Sequence, residues 1–204
     1  MSKHLHWRIP TSEKEIYLTF DDGPIPYLTE YVIDQLAAFD AKATFFCVGD
    51  NIRKHPEVFG KIIEGGHSIG NHTYNHLKAW TTDLTEYLDN VSKCARIIQR
   101  ETEKTEQALF RPPHGQITRK TISALKNDYK IIMWDVLTYD FDKGHSAVKG
   151  LNRAIKSTRS GSIVVFHDNY KAEANLKYML RRYLKHFSDL GYKFKKLSTD
   201  GESV

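Results

Sequence analysis

Seven short apolar runs, each bounded by turn residues and most of them separated by stretches of helical period, constrain this chain more than any other feature. The runs are Ile16–Phe20, Ala43–Val48, Ser68–Gly70, Leu109–Arg111, Lys130–Trp134, Ser162–Phe166 and Tyr192–Leu197. Few polar residues interrupt them, as expected of parallel strands covered on both faces. Between them, Tyr27–Phe39 carries apolar residues at Leu28, Tyr31, Val32, Leu36 and Phe39, a stripe of helical spacing. Pro56–Glu64 stops at Gly65-Gly66, and Leu84–Gln99 follows Asp83, a residue type that caps helix starts. Thr118–Lys126, Ala147–Ser157 and Glu173–Leu190 complete the helices. Such alternation is an α/β pattern with two solutions, an open doubly wound sheet or a (β/α) barrel.

At 204 residues, the chain has material for one domain, with a core running from about residue 15 to 197. Hydrophobic residues make up 40%, which excludes a disordered chain. No apolar run is long enough to span a membrane. The opening residues Met1 to Trp7 lack the apolar stretch and cleavage site of a secretory signal, so a cytoplasmic protein is expected. Cys47 and Cys94 form no metal-type pair and suit a reducing compartment. A net charge of +5 is scattered, apart from Arg181-Arg182 and Lys193 to Lys196. No basic stripe with stacking aromatics appears, so a nucleic-acid partner is not expected.

In both architectures the active site lies where strands end and loops leave for helices. The polar clusters fall at those ends. Asp21-Asp22-Gly23-Pro24 follows the first run, His72 to His76 the third, Arg111-Pro112-Pro113-His114 the fourth, Asp135 to Phe141 the fifth and His167-Asp168 the sixth. Two adjacent acids leaving a buried strand need compensation, and a divalent cation supplies it. His72 and His76 share one face if their segment is helical, and two imidazoles with one carboxylate make a common catalytic zinc shell. With Asp22, His72 and His76 as ligands, Asp21 stands beside the site as a free base. A pair of surface histidines is the bland alternative, and the neighbouring acids count against it. Arg111 is expected to orient Asp21 through paired hydrogen bonds, or else to be an ordinary surface arginine. His167 emerges from a buried strand as a candidate general acid or a structural histidine, with Asp135, Asp140 and Asp168 as candidate partners.

These residues, taken in order, resemble the motifs of the polysaccharide deacetylases, carbohydrate esterase family 4. Thr19-Phe20-Asp21-Asp22-Gly23-Pro24, His72 with His76, Arg111-Pro112-Pro113-His114-Gly115 and Val165-Phe166-His167 carry the resemblance over about Glu15 to Leu197. It implies a distorted (β/α) barrel of about seven parallel strands and metal-dependent removal of acetyl groups from N-acetylated sugars. Position by position, Asp21 matches the family's base, Asp22, His72 and His76 its ligands, Arg111 the residue steering the base and His167 the general acid. The backbone N–H at His114 matches an oxyanion donor, and Val165 matches a wall of the acetyl-methyl pocket. The implied cofactor is one divalent metal, zinc first, with Co2+, Ni2+ or Mn2+ as alternatives.

Pro113, Trp134, Tyr139 and Phe141 are further candidates for substrate contact, with core packing the plainer role for Trp134. The chain departs from the family where a tyrosine is usual and His114 stands, and in the fourth motif. There Leu137 replaces an acid and Phe141 a tryptophan, which leaves Asp140 first and Asp135 second as partner to His167. The expected function is hydrolysis of an N-acetylated glycan, oligosaccharide or amino sugar, with no membrane partner. The alternatives are an amidohydrolase of a non-sugar amide and a catalytically impaired glycan binder. Because no export signal is seen, wall-bound peptidoglycan is the less expected physical substrate.

Overall fold

The computed structural model describes residues 3–102, 108–144 and 146–198. Among these described residues, nine strands form one sheet in which every strand pairing is parallel: β1 (Leu5–His6), β2 (Glu15–Asp21), β3 (Ala43–Cys47), β4 (Ser68–Asn71), β5 (Ala108–Phe110), β6 (Tyr129–Ile132), β7 (Val136–Leu137), β8 (Ile163–His167) and β9 (Lys193–Phe194). The helices are α1 (Leu28–Ala37), α2 (Gly49–Lys54), α3 (Pro56–Glu64), α4 (Leu84–Thr102), α5 (Arg119–Leu125), α6 (Ala147–Ser157) and α7 (Glu173–Asp189).

The strand order β1-β6-β5-β4-β3-β2-β8-β7 decides between the two expected architectures. In a flat sheet, β6 and β7 would be six strand spacings apart, roughly 29 Å at about 4.8 Å each. Yet only Met133, Trp134 and Asp135 join Ile132 to Val136, a tether of at most about 14 Å. The sheet therefore curls, and the segment from Tyr129 to Leu137 bridges its two sides. Its first half pairs with β5 and its second half with β8. The expected distorted barrel is the observed fold, and the open sheet is excluded.

Strand periodicity then sorts the side chains. On β2, Ile16, Leu18 and Phe20 pack outward in one cluster with Val32 and Leu36 of α1 and Leu180 and Leu184 of α7. The intervening Thr19 and Asp21 face the interior, toward Arg111. A second interior layer joins Phe46, Leu109, Ile132 and Ile163. All seven expected runs carry strands with small shifts at their ends, although the last contracts to Lys193–Phe194 beside β2. Strands β1 and β7 and helix α2 were not anticipated, being too short to show a period. The glycine stop after α3 closes as expected. Gly66 adopts φ +74°, and the His67 N–H reaches the Ile62 carbonyl at 3.3 Å. Asp83 caps α4, its Oδ1 accepting the Thr85 N–H at 2.8 Å.

Candidate active site

Asp21 and Asp22 sit at the carboxyl end of β2, and His167 is the register partner of Asp21 on neighbouring β8. Beyond β4, His72 and His76 approach Asp22. His72 Nε2 lies 3.5 Å and His76 Nε2 3.0 Å from Asp22 Oδ1. One ligand atom from each of the three residues lies within 4.8 Å of the others. The expected ligand set is thus brought together, but the segment between the histidines is a turn and not a helix. Thr73 (φ 62°) and His76 (φ 57°) adopt left-handed backbone, and Asn90 of α4 accepts the Tyr74 and Asn75 N–H groups at 2.8 and 2.9 Å. This turn aims both imidazoles inward, where helical periodicity was the expectation.

The donor chemistry fits a cation. His72 Nδ1 lies 2.8 Å from the Arg111 carbonyl, which can only accept, so Nδ1 carries the hydrogen and Nε2 presents a lone pair. Oδ1 of Asp22 is buried with no hydrogen bond of good geometry. Its other oxygen, Oδ2, accepts from the Asn169 side chain, and Asn51 Nδ2 donates to its carbonyl at 2.7 Å. A buried carboxylate oxygen facing two imidazole nitrogens lacks a positive partner. The backbone of Asp22 stands at φ 87°, a conformation non-glycine residues rarely hold outside functional sites.

Asp21 is held apart from this cluster. Arg111, fully buried, donates from Nη1 to Asp21 Oδ1 at 2.7 Å and to Thr19 Oγ1 at 2.7 Å. Its Nη2 donates to the Met133 carbonyl at 2.9 Å, and its plane lies 4.2 Å from the Phe46 ring. The expected pairing with Asp21 forms through one arm only. The others grip the wall, and desolvation draws the guanidinium pKa down from its ordinary value. Asp21 Oδ2 remains 4.0 Å from His72 Nε2. His167 is fixed by a single carboxylate. Asp140 accepts the His167 N–H at 2.8 Å on Oδ2 and faces its Nδ1 at 2.8 Å with Oδ1. Burial acts to lower the His167 pKa, but Asp140, with Asp22 and Asp21 beyond, outweighs it and lifts the value to about 9. The imidazole is a proton carrier at neutral pH.

Comparison with known proteins decides the family. The sequence pattern of the family described as polysaccharide deacetylase matches residues 8–130. A peptidoglycan-N-acetylglucosamine deacetylase of Bacillus cereus is 31% identical over 193 residues, covering 94% of this chain and 90% of that protein. The chain belongs to the polysaccharide deacetylase family. In structure, the Bc1960 peptidoglycan N-acetylglucosamine deacetylase superposes with a TM-score of 0.90 at 28% identity, over 98% of this chain and 94% of its own. A family pseudoenzyme from Bacillus anthracis, BA3943, also superposes, with a TM-score of 0.82 at 25% identity, over 97% of this chain and 68% of its own.

Other candidates of this polysaccharide deacetylase take varied places. Pro113 and His114 form a tight turn, with His114 at φ 59° and its ring 4.6 Å from that of His76. Val165, buried, precedes His167 by two positions and so shares its face of β8. Phe141 stands edge-on to His167 at 4.8 Å, and Tyr139 lies 6.0 Å from Phe141. Trp134 packs with the interior layer and closes over Gly115, where a Cβ would meet the indole at 2.6 Å.

Two expected partners of His167 lie elsewhere. Asp135 accepts the Ser162 hydroxyl at 2.7 Å and nears Arg159 at 3.5 Å, beside the start of β8. It cannot serve His167 there, because its strand position precedes β7 and its carboxylate is already bonded. Asp168 accepts the Gly23 N–H at 3.0 Å and the Thr29 hydroxyl, tying down the loop after β2. Full burial raises its pKa to about 8. A side chain at position 23 would strike it, which explains the glycine. Sequence reasoning missed Asn169, Asn90 and the hydroxyl of Thr19. Asn169 carried a signal, directly following His167-Asp168 on the same rim, and so did Thr19, which opens the quoted Thr19-Phe20-Asp21-Asp22 motif.

Proposed function

We propose that this protein uses one divalent metal, zinc in the first instance, to hydrolyse the acetamide of an N-acetylglucosamine-type glycan. The carrying observation is the convergence of Asp22 Oδ1, His72 Nε2 and His76 Nε2 on one point, with Asp21 beside them but bonded to Arg111. Those three residues would hold the ion, and an ion bound there supplies a Lewis acid for the acetyl carbonyl and a water of lowered pKa.

The chain's own groups do the rest. Arg111 occupies Oδ1 of Asp21 and fixes its rotamer, so Oδ2 is left to take the proton of the attacking water. The His114 backbone N–H stabilises the developing oxyanion. His167, on the adjacent strand, gives its Nε2 proton to the departing sugar nitrogen while Asp140 occupies Nδ1. Acetate and a free amino sugar leave. Val165 and Trp134 line the acetyl pocket in this reading, and Tyr139 and Phe141 flank the sugar.

The alternative of a catalytically impaired glycan binder rested on Leu137 replacing an acid, and the Asp140 carboxylate at His167 Nδ1, with Asp22, His72 and His76 grouped nearby, supports the active reading over it. Among the described residues no helix is long and apolar enough to cross a membrane. A cytoplasmic setting is part of the proposal, supported by two buried free thiols, Cys47 and Cys94. It favours soluble N-acetylated oligosaccharides over assembled wall. Metal analysis of the purified protein, with acetate release from chitin oligomers, peptidoglycan fragments and N-acetylglucosamine derivatives, tests this reading. Stoichiometric divalent metal and acetate from a glycan are expected; acetate only from small non-sugar amides would replace the substrate class.

A further inference from the structure

Six large hydrophobic residues are exposed among the described residues: Tyr27, Trp80, Tyr139, Val148, Tyr170 and Leu190. The two aliphatic ones belong to the helical shell, Val148 on α6 and Leu190 at the end of α7. All four aromatics stand in loops that leave the carboxyl ends of strands, on the rim that carries the site. Tyr27 follows β2, Trp80 follows β4, Tyr139 follows β7 and Tyr170 follows β8. A single exposed apolar side chain is ordinary, but four aromatic faces sharing the rim of a site offer contact area to whatever binds there.

Trp80 is the most constrained of them. It is 68% exposed, yet its neighbour Ala79 is buried. The loop is closed by the Thr81 and Thr82 N–H groups on the Lys78 carbonyl at 3.2 and 3.1 Å, and by the Leu77 N–H on Thr73 Oγ1 at 3.1 Å. The indole N–H points to the Ile117 carbonyl at 3.4 Å, spanning from the histidine loop to the turn that bears His114. The ring is thereby held in place with much of its surface in water. It lies four residues beyond His76, at most about 14 Å along the chain. An exposed ring within that reach of His76 can meet a further sugar ring of the same glycan strand. Tyr170 adjoins Asn169, whose amide donates to Asp22.

We propose that Trp80 is a substrate-binding platform that stacks on the apolar face of a sugar ring remote from the one being deacetylated, making the enzyme selective for oligomers over short substrates. This rests on the deacetylase reading and deepens it: the substrate class becomes an extended N-acetylated glycan. Aromatic stacking of this kind is worth about 0.5–1.5 kcal/mol, or roughly twofold to tenfold in affinity.

The test compares the zinc-loaded wild type with Trp80→Ala, Trp80→Phe and, as a remote control, Leu190→Ala, on N-acetylglucosamine oligomers from dimer to hexamer. Trp80→Ala is expected to raise KM for the hexamer by up to about tenfold with little change in kcat, the effect shrinking as the oligomer shortens. Trp80→Phe is expected to recover most of the loss, and Leu190→Ala to keep the wild-type length profile. A KM rise equal at every length, or none at the hexamer, overturns the platform. If Trp80→Ala does not fold, tryptophan fluorescence decides, read as the extra change that the hexamer produces beyond the dimer, since Trp134 answers to both: that extra change vanishes in Trp80→Phe if the proposal holds and persists if it does not. A wild type that releases no acetate from any oligomer overturns the deacetylase reading alone, and the fluorescence comparison still judges the platform.

Discussion

Asp21 and Asp22 are chemically identical neighbours set in different surroundings by what reaches them. Arg111 takes one oxygen of Asp21, while the Asn169 amide turns the free oxygen of Asp22 toward two imidazoles. Asp21→Asn is therefore expected to retain metal and to lose acetate release by about 10² to 10⁴-fold, while Asp22→Ala loses the metal itself. Elemental analysis beside the activity assay separates the two, and unchanged turnover in Asp21→Asn would remove it as the base. His167 offers a pH handle. Its pKa is raised by Asp140 to about 9, so in the proposed role of general acid its proton is present at neutral pH and lost as pH climbs through that value. Asp140→Asn removes the main raising influence and leaves burial, which acts the other way. The alkaline limb of kcat should move to lower pH in that variant, and a limb that stays put would show that another group sets it.

At the scale of elements, the histidine turn depends on a helix that contributes no ligand. Asn90 of α4 accepts two N–H groups of the turn and donates to Asn75 at 3.0 Å. Asn90→Ala should weaken zinc affinity by about 10 to 100-fold with the helix intact, as losses behind a metal shell do, measured by competition with a chelating dye. The same turn shows what could be read from the sequence. The spacing of His72 and His76 announced the pair, but not the left-handed backbone at Thr73 and His76 that joins them, because that geometry is imposed by Asn90, fourteen residues past His76. Long periodic segments such as α4 and α7 were legible, as were strands dense in β-branched and aromatic residues. Strand β7, two residues long, was not, since its existence follows from the curl of the sheet. Asp140 was legible as a partner of His167 only in competition with Asp135 and Asp168, because all three are acids on neighbouring loops and only packing assigns their bonds.

For the molecule as a whole, the charge in the interior is the point of tension. Arg111 lies in the barrel with no exposure, satisfied by Asp21, Thr19 and carbonyls of the bridging segment. Arg111→Met strands Asp21 as an unpaired buried acid, and a loss of about 3–5 kcal/mol in unfolding free energy is expected by chemical denaturation, together with the loss of turnover. Zinc binding should act in the other direction. A cation that binds only the folded chain raises its midpoint of thermal unfolding as its concentration grows, and a chelator reverses this; His72→Ala should abolish the response. Met133 to Asp135 gives this arrangement a mechanical meaning. The same three-residue bridge that draws the two flanks of the sheet together also supplies the carbonyl on which Arg111 leans. A single backbone cut in that bridge, by an engineered protease site, would let the cylinder relax and release the lever on Asp21, disarming the catalyst while every ligand to the ion stays in the polypeptide.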